Sequence, residues 1–179
     1  IKLHQVCCGF MVSDAGETTY LENVKMKELF NIIDELDGKV IIWANYLNSI
    51  TKIIDDLKAK FGDESTVAVY GAVKVEDRKE GVRRFEKDPQ CRFFVGNPTT
   101  GGYGLNLTKA NTVIYFSNSY DLEVRQQSED RAHRIGQENK VTYIDILARG
   151  TIDEFILKAL NKKLKISAQT LGEEVLEYL

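Results

Sequence analysis

The sequence predicts an α/β domain in which a mostly parallel sheet is covered by helices on both faces. Three observations predict it. Short, continuous apolar runs rich in β-branched residues, such as "KVIIWA", read as strands buried on both sides. Between them lie segments whose apolar residues recur at helical spacing. Strands alternating with helices build a parallel sheet with both faces covered. The 179 residues suffice for one domain with a well-buried core, and no linker, repeat or low-complexity segment divides them.

Ile1 to Tyr20 is the least regular part and is expected to be an N-terminal strap. Val24 to Leu36 carries Leu29, Ile32, Ile33 and Leu36 at helical spacing, and Asp37-Gly38 stops it. "KVIIWA" is the first strand. Leu47 to Phe61 is helical, with Ile50, Ile53, Ile54 and Leu57 on one face, and Gly62 ends it. "TVAVY" is the second strand. Val75 to Lys87 is a charged helix with Val75, Val82 and Phe85 inside, closed by Asp88-Pro89. "CRFFVG" is the third strand. "NPTTGGYGLNLTKA" has neither period and is a glycine-rich loop. "NTVIYF" is the fourth strand, Leu122 to Ala132 a helix and "KVTYIDILA" the fifth strand. From Thr151 a long helix runs to the end, forming a C-terminal extension over 151–179.

Net charge is −3, which excludes a generally basic nucleic-acid binder but not a local basic surface. Lys74, Arg78, Lys79, Arg83, Arg84 and Lys87 form one basic run, and Lys158, Lys162, Lys163 and Lys165 a second. Both sit on helical patterns interleaved with acids, so solvated helix faces account for them better. The three cysteines, Cys7, Cys8 and Cys91, are odd in number and suggest no disulfide framework, and no Cys or His pairs stand at zinc spacing. Reduced cysteines fit a cytoplasmic protein. No apolar run approaches the ~18 residues that span a bilayer, and the start has no signal-peptide pattern. The chain begins without Met, as a piece of a longer protein would.

In open parallel sheets ligands bind at the carboxyl ends of the strands, and two candidate sites are expected there. One is the loop Asn97 to Leu107. Gly101, Gly102 and Gly104 let another backbone approach, its amides can hold phosphate oxygens, and Thr99 and Thr100 add hydroxyls. Such a sequence is also common in plain turns. It is not a P-loop, because no Gly-Lys-Ser or Gly-Lys-Thr occurs, nor does an acidic metal-binding strand follow. The second site is "QQSEDRAHRIGQ", Gln126 to Gln137. Arg131 and Arg134 stand at i and i+3 and point the same way on a helix, which Gly136 ends. Two guanidiniums together need something negative opposite. That is either a phosphate or a structural network with Asp121, Glu129 and Asp130.

These segments, in order, resemble the second lobe of Swi/Snf-type ATPases of helicase superfamily two. "QSEDRAHRIGQ" resembles the sixth motif of that family, "TTGGYGLNLTKANTVIYF" the fifth and "KVIIWANY" the fourth. "YGAVKVEDRKEGVRRFEKD", "LHQVCCGF" and "GTIDEFILKAL" resemble segments between and around them. The resemblance implies a three-layer RecA-like domain that lacks its own P-loop and is one half of a split site. ATP and Mg would be held mainly by a first RecA-like lobe. Arg131 and Arg134 would be the arginine fingers, with Gly102, Gly104 and Gln127 on the nucleotide side. Asn45, Gly71, Arg78, Thr99, Thr100 and Gly101 would face double-stranded DNA, contacting mainly backbone.

The implied protein is a DNA-dependent ATP hydrolase and translocase, of which this chain alone would be inactive. An RNA-directed helicase lobe of the same superfamily and a stand-alone nucleic-acid-binding module are the alternatives. "RIGQ" and "GGYGLNLT" speak against the first. Two departures from the family stand out. Asn97-Pro98 replaces a frequent Ser-Thr, so no DNA contact is carried over to Pro98. Ser119-Tyr120-Asp121-Leu122 replaces an Asp-Trp-Asn-Pro-like stretch, with Tyr120 in place of the aromatic. The absence of a large insertion points to a minimal microbial or viral enzyme.

Overall fold

The computed structural model describes residues 1–100, 105–137 and 139–171. Five strands, β3 (Lys39–Trp43), β4 (Thr66–Val69), β5 (Phe93–Gly96), β6 (Ala110–Tyr115) and β7 (Thr142–Asp145), form one sheet in the order β4-β5-β3-β6-β7. Every pairing is parallel. The helices between them are α3 (Leu47–Phe61), α4 (Val75–Lys87) and α5 (Leu122–Glu129), with α2 (Val24–Glu35) before and α6 (Ile152–Leu171) after.

The period of two along each strand splits the core into two layers. Val40, Ile42, Phe93, Val95 and Ile114 face α2 and α3, where Leu29, Ile33, Ile50, Ile53 and Leu57 are buried against them. Ile41, Trp43, Phe94, Val113 and Tyr115 face the other way, against Phe85 of α4 and Ala132 beyond α5. Burying each such side chain contributes roughly 2 kcal/mol. The inner strands β3 and β5 carry almost no polar residue because neither of their faces meets water, whereas the edge strand β7 is half-exposed and carries Thr142 and Asp145.

Several expectations change. Val75 is 54% exposed, and Gly81 takes the inner position on α4 beside Phe85. Val75 opens the helix, one turn short of where the sheet covers it. The fifth strand is shorter than its apolar pattern, because Ile146 to Ala148 leave the sheet for the turn into α6. Ile1 to Tyr20 is ordered, as α1 (Lys2–Cys7) and an antiparallel hairpin of β1 (Phe10–Val12) and β2 (Thr18–Tyr20).

This segment is clasped to α6 and α2 by buried polar groups. Lys25 of α2 donates to Asp153 of α6 at 2.8 Å, and His4 Nε2 lies 3.4 Å from the same carboxylate. His4 Nδ1 meets the Tyr46 hydroxyl at 3.0 Å, and Asp153 also accepts from the amide of Ala148 at 3.0 Å. Asp153 thus accepts from the Lys25 ammonium and the Ala148 amide, which is the condition for a buried charge to be tolerated.

At the end of β5 the backbones of neighbouring strands close in. A Cβ on Gly96 would lie 2.6 Å from the Val69 carbonyl oxygen and 3.1 Å from the Trp43 ring. Gly96→Ala is therefore expected to destabilise the chain by about 2 kcal/mol in urea unfolding. Gly71→Ala, with nothing within 4 Å of its Cβ, should change stability by less than about 0.5 kcal/mol.

Burial holds the pKa of His4 below its ordinary 6.5. The unfolded chain then binds the extra proton first, so stability is full above about 6.5 and falls as acid carries pH towards the folded value. Urea midpoints between pH 7.5 and 5 should fall more for the parent chain than for His4→Gln.

Candidate functional site

Asp121 caps the start of α5 by accepting from the Val124 amide at 3.2 Å. The helix ends at Glu129, earlier than Ala132, because the Ala132 and His133 amides both close on the Glu129 carbonyl and tighten the last turn. Arg131 and Arg134 therefore stand on turns beyond the helix. Gly136, with φ at 103°, reverses the chain in a conformation that a side chain would strain. Gln137 then donates to the carbonyls of Ala110 at 2.9 Å and Ala132 at 3.1 Å. The Leu107 amide donates to the Arg131 carbonyl at 3.0 Å.

These bonds stitch the arginine segment to the entry of β6. The cleft it forms, of about 910 Å³, is lined by Leu105, Gln127, Arg131, Arg134, Ile135 and Lys140. The cleft opens beside the amino ends of β6 and β7. The expected placement of this site at the carboxyl ends of the strands is thereby corrected. The reason is that α5 runs back along the sheet before its arginines appear.

The two arginines differ. Arg131 is 6% exposed, with its guanidinium 5.9 Å from the Trp43 ring centroid. Its Nε and Nη1 are buried and have no acceptor among the described residues. Burial lowers its pKa, which the Tyr115 and Asp130 side chains partly oppose. Arginine stays charged regardless, so the cost remains as an imperfectly compensated buried cation. Arg134 is exposed at the rim of the same cleft, beside Ile135, which is fully exposed.

Two of the carboxylates offered as structural partners are occupied, and the third, Asp130, lines the cleft without a bond to Arg131. Asp121 caps α5, Asp130 is exposed, and Glu129 accepts from Arg125 Nε at 2.6 Å. Arg125 is the residue the sequence reading missed. It is 3% exposed, lies 3.4 Å over the Tyr115 ring and grips Asp145 with two bonds of 2.6 and 3.0 Å. Asn118 accepts from it at 2.8 Å and donates to Asp145 at 2.5 Å. The Tyr115 hydroxyl meets Ser128 at 2.6 Å in the same cluster. The Asp145 fork holds the Arg125 pKa high against burial. The one local signal was the i, i+4 spacing of Arg125 and Glu129.

The second candidate face does lie at the carboxyl ends of the strands. Asn45, after β3, bonds Ser117, after β6, through its amide at 3.0 Å and its side chain at 3.2 Å. Asn97, after β5, donates to the Asn45 carbonyl at 2.9 Å and accepts from the Thr99 amide at 2.9 Å and hydroxyl at 2.5 Å. One row thus holds Asn45 and Thr99 together, with Thr100 next, its amide bonded to the Asn97 carbonyl at 3.1 Å. Pro98 is buried and Tyr120 is 47% exposed.

Arg78 spends Nε on the Val73 carbonyl at 2.6 Å and Nη2 on the Gly71 carbonyl at 2.8 Å, so it shapes the loop that carries Gly71. Gln127 lines the cleft and donates to Glu123 at 2.9 Å. Gly101, Gly102 and Gly104 lie outside the described residues. Of the basic runs, Arg83 is paired with Glu80 and Arg84 with Glu64, and Lys163 donates to the Tyr120 carbonyl. Among the described residues no cluster of His, Cys, Asp or Glu is placed to hold a metal, and no helix is long and apolar enough to cross a membrane.

Known proteins share the fold. The crystal structure of the C-terminal part of the Fun30 ATPase domain matches with a TM-score of 0.71 at 26% identity, over 78% of this chain and 46% of that one. The fold is thus that of a RecA-like lobe. The chain is 30% identical to the ATP-dependent helicase fft2 of Schizosaccharomyces pombe, over 92% of this chain and 13% of that protein. It is 33% identical to the chromatin-remodeling ATPase INO80 of Candida glabrata, over 74% of this chain and 9% of that protein. Helicase conserved C-terminal domain matches residues 24–136, well over half the chain. The chain belongs to that family, as a C-terminal lobe of the Swi/Snf type within superfamily two. It spans under a fifth of the length of these curated relatives.

The contrast between the two buried arginines can be measured. Arg131→Met removes a charge that lacks a full partner, so its urea midpoint should match or exceed that of the parent chain. Arg125→Met strands Asp145 and should cost about 3 kcal/mol or more.

Proposed function

We propose that this chain is the second lobe of an ATP-dependent motor that translocates on double-stranded DNA. In this reading it supplies Arg131 and Arg134 to the phosphates of an ATP held by a first RecA-like lobe of the same protein. The observation that carries the reading is Arg131, a buried guanidinium with Nε and Nη1 unbonded among the described residues, at the base of a cleft open to a partner. A planar, always-charged fork suits a phosphate, and its charge gains most where water is excluded.

Arg131 would meet the phosphate already desolvated and fixed by the Leu107 and Gln137 bonds, while Arg134 reaches it from the rim. Gln127 would border the nucleotide, with Gly102 and Gly104. Exposed Ile135 supports a dry contact with the first lobe. Mg, which neutralises phosphate charge, would be held mainly by that lobe. Asn45, Gly71, Thr99, Thr100 and Gly101 would follow the DNA backbone, and Arg78 would hold the Gly71 loop towards it. The strap 1–20 and the extension 151–179, whose residues 172–179 lie outside the described ones, would brace this single lobe, a role the Asp153 contacts support. Such a motor works where DNA lies, in the cytoplasm of a cell without a nucleus.

In the full-length protein, Arg131→Ala or Arg134→Ala should leave duplex binding largely intact and cut ATP turnover by ~10³-fold or more. Normal turnover by Arg134→Ala would sink the assignment. Duplex DNA should stimulate turnover and RNA should not; the reverse would make it an RNA-directed helicase.

The 179-residue chain alone should neither hydrolyse ATP nor show micromolar ATP binding by titration calorimetry. Its duplex binding should be weak and salt-sensitive. Tight binding unchanged by adding the first lobe would instead mark a stand-alone nucleic-acid-binding module.

A further inference from the structure

The geometry points to Arg125 as a positioning residue for hydrolysis, joining the row that holds Thr99 to the turn that bears Arg131 and Arg134. This rests on the proposed ATP hydrolysis and adds to it a residue that does not touch the nucleotide. The link is a run of hydrogen bonds joined by two covalent steps, from Ser117 to Asn118 and within Glu129. Thr99 bonds Asn97, Asn97 bonds the Asn45 carbonyl, and Asn45 bonds Ser117 at both its amide and its side chain. Asn118, next in sequence, accepts from Arg125 Nη1 at 2.8 Å. Arg125 Nε in turn bonds the Glu129 carboxylate, and the Glu129 carbonyl receives the amides of Ala132 and His133, the two residues between Arg131 and Arg134.

Arg125 is the point where this path cannot slip. Its guanidinium is held by Asp145 through two bonds, by Asn118, by Glu129 and by the Tyr115 ring. Charge-assisted forks of this kind fix orientation as well as position. A shift of β6's carboxyl end, where Asn118 sits, is therefore passed to the base of the arginine turn. Coupling of this sort travels through packed polar networks with little slack. Lysine at position 125 would keep the charge but lose the planar fork, so it would loosen the turn without emptying the site of charge.

The test uses the full-length protein with saturating duplex DNA. Arg125→Lys should lower kcat by between about ten- and a hundredfold while KM for ATP stays within about twofold. The ratio of DNA-stimulated to basal turnover should fall as well, and duplex affinity should not change. A merely structural residue would lower the unfolding midpoint but leave kcat per folded molecule and that ratio as they were.

Folded Arg125→Lys with unchanged kcat and stimulation overturns the inference. If that variant does not fold, Glu129→Gln keeps the shape and weakens the same link, and unchanged kcat there overturns it equally. Wild type and Arg134→Ala are run alongside. An inactive wild type, or an active Arg134→Ala, would bring down the proposed function and this inference with it. An active wild type with a dead Arg134→Ala and a normal Arg125→Lys would bring down this inference alone.

Discussion

β3 is buried on both faces, and most of the molecule is arranged by that burial. Val40, Ile42 and Ala44 look into one apolar layer while Ile41 and Trp43 look into the other. A strand in that position has no side-chain direction left for chemistry, so the proposed contacts fall to the residues just past its end. Asn45 stands where the chain leaves the strand, and its bonds to Ser117 and from Asn97 tie together the exits of three neighbouring strands. The same burial presents the Trp43 ring beneath Arg131. One central strand thus supports both the row at the carboxyl ends and the base of the arginine cleft.

The two buried arginines show how one residue type serves opposite ends. Arg125 is surrounded by Asp145, Glu129, Asn118 and the Tyr115 ring, and its charge stabilises the packing of α5 on the sheet. Arg131 is almost as buried but keeps Nε and Nη1 without acceptors among the described residues. A fold tolerates an uncompensated cation of that kind where the stability lost is recovered on binding. In the proposed reading the first arginine holds the turn still, and the second uses it.

Much of this was legible in the chain. Two helices, Leu47–Phe61 and Val75–Lys87, have the bounds their periodicity indicates, because Gly62 and Asp88-Pro89 stop them locally. The five strands appear in the order of their apolar runs. Val75 was misplaced because helical spacing describes a face but not how far along it the sheet reaches. The opening segment was underread because α1 and its hairpin are short, and their order comes from Asp153, which lies far along the chain.

The candidate site divides along the same line. That Arg131 and Arg134 belong together, that Gly136 turns the chain and that no P-loop is present are matters of adjacent residues, which the sequence determines by itself. Which carboxylate meets which guanidinium is another matter. Glu129 is next to Asp130 and two residues from Arg131, yet it pairs with Arg125, and Arg125 pairs with Asp145 twenty residues on. Those choices depend on how α5 lies across β6 and β7, a distance in space that no spacing along the chain encodes. Only the tertiary structure could decide that the missed arginine is the satisfied one and that the cleft opens at the amino ends of the strands.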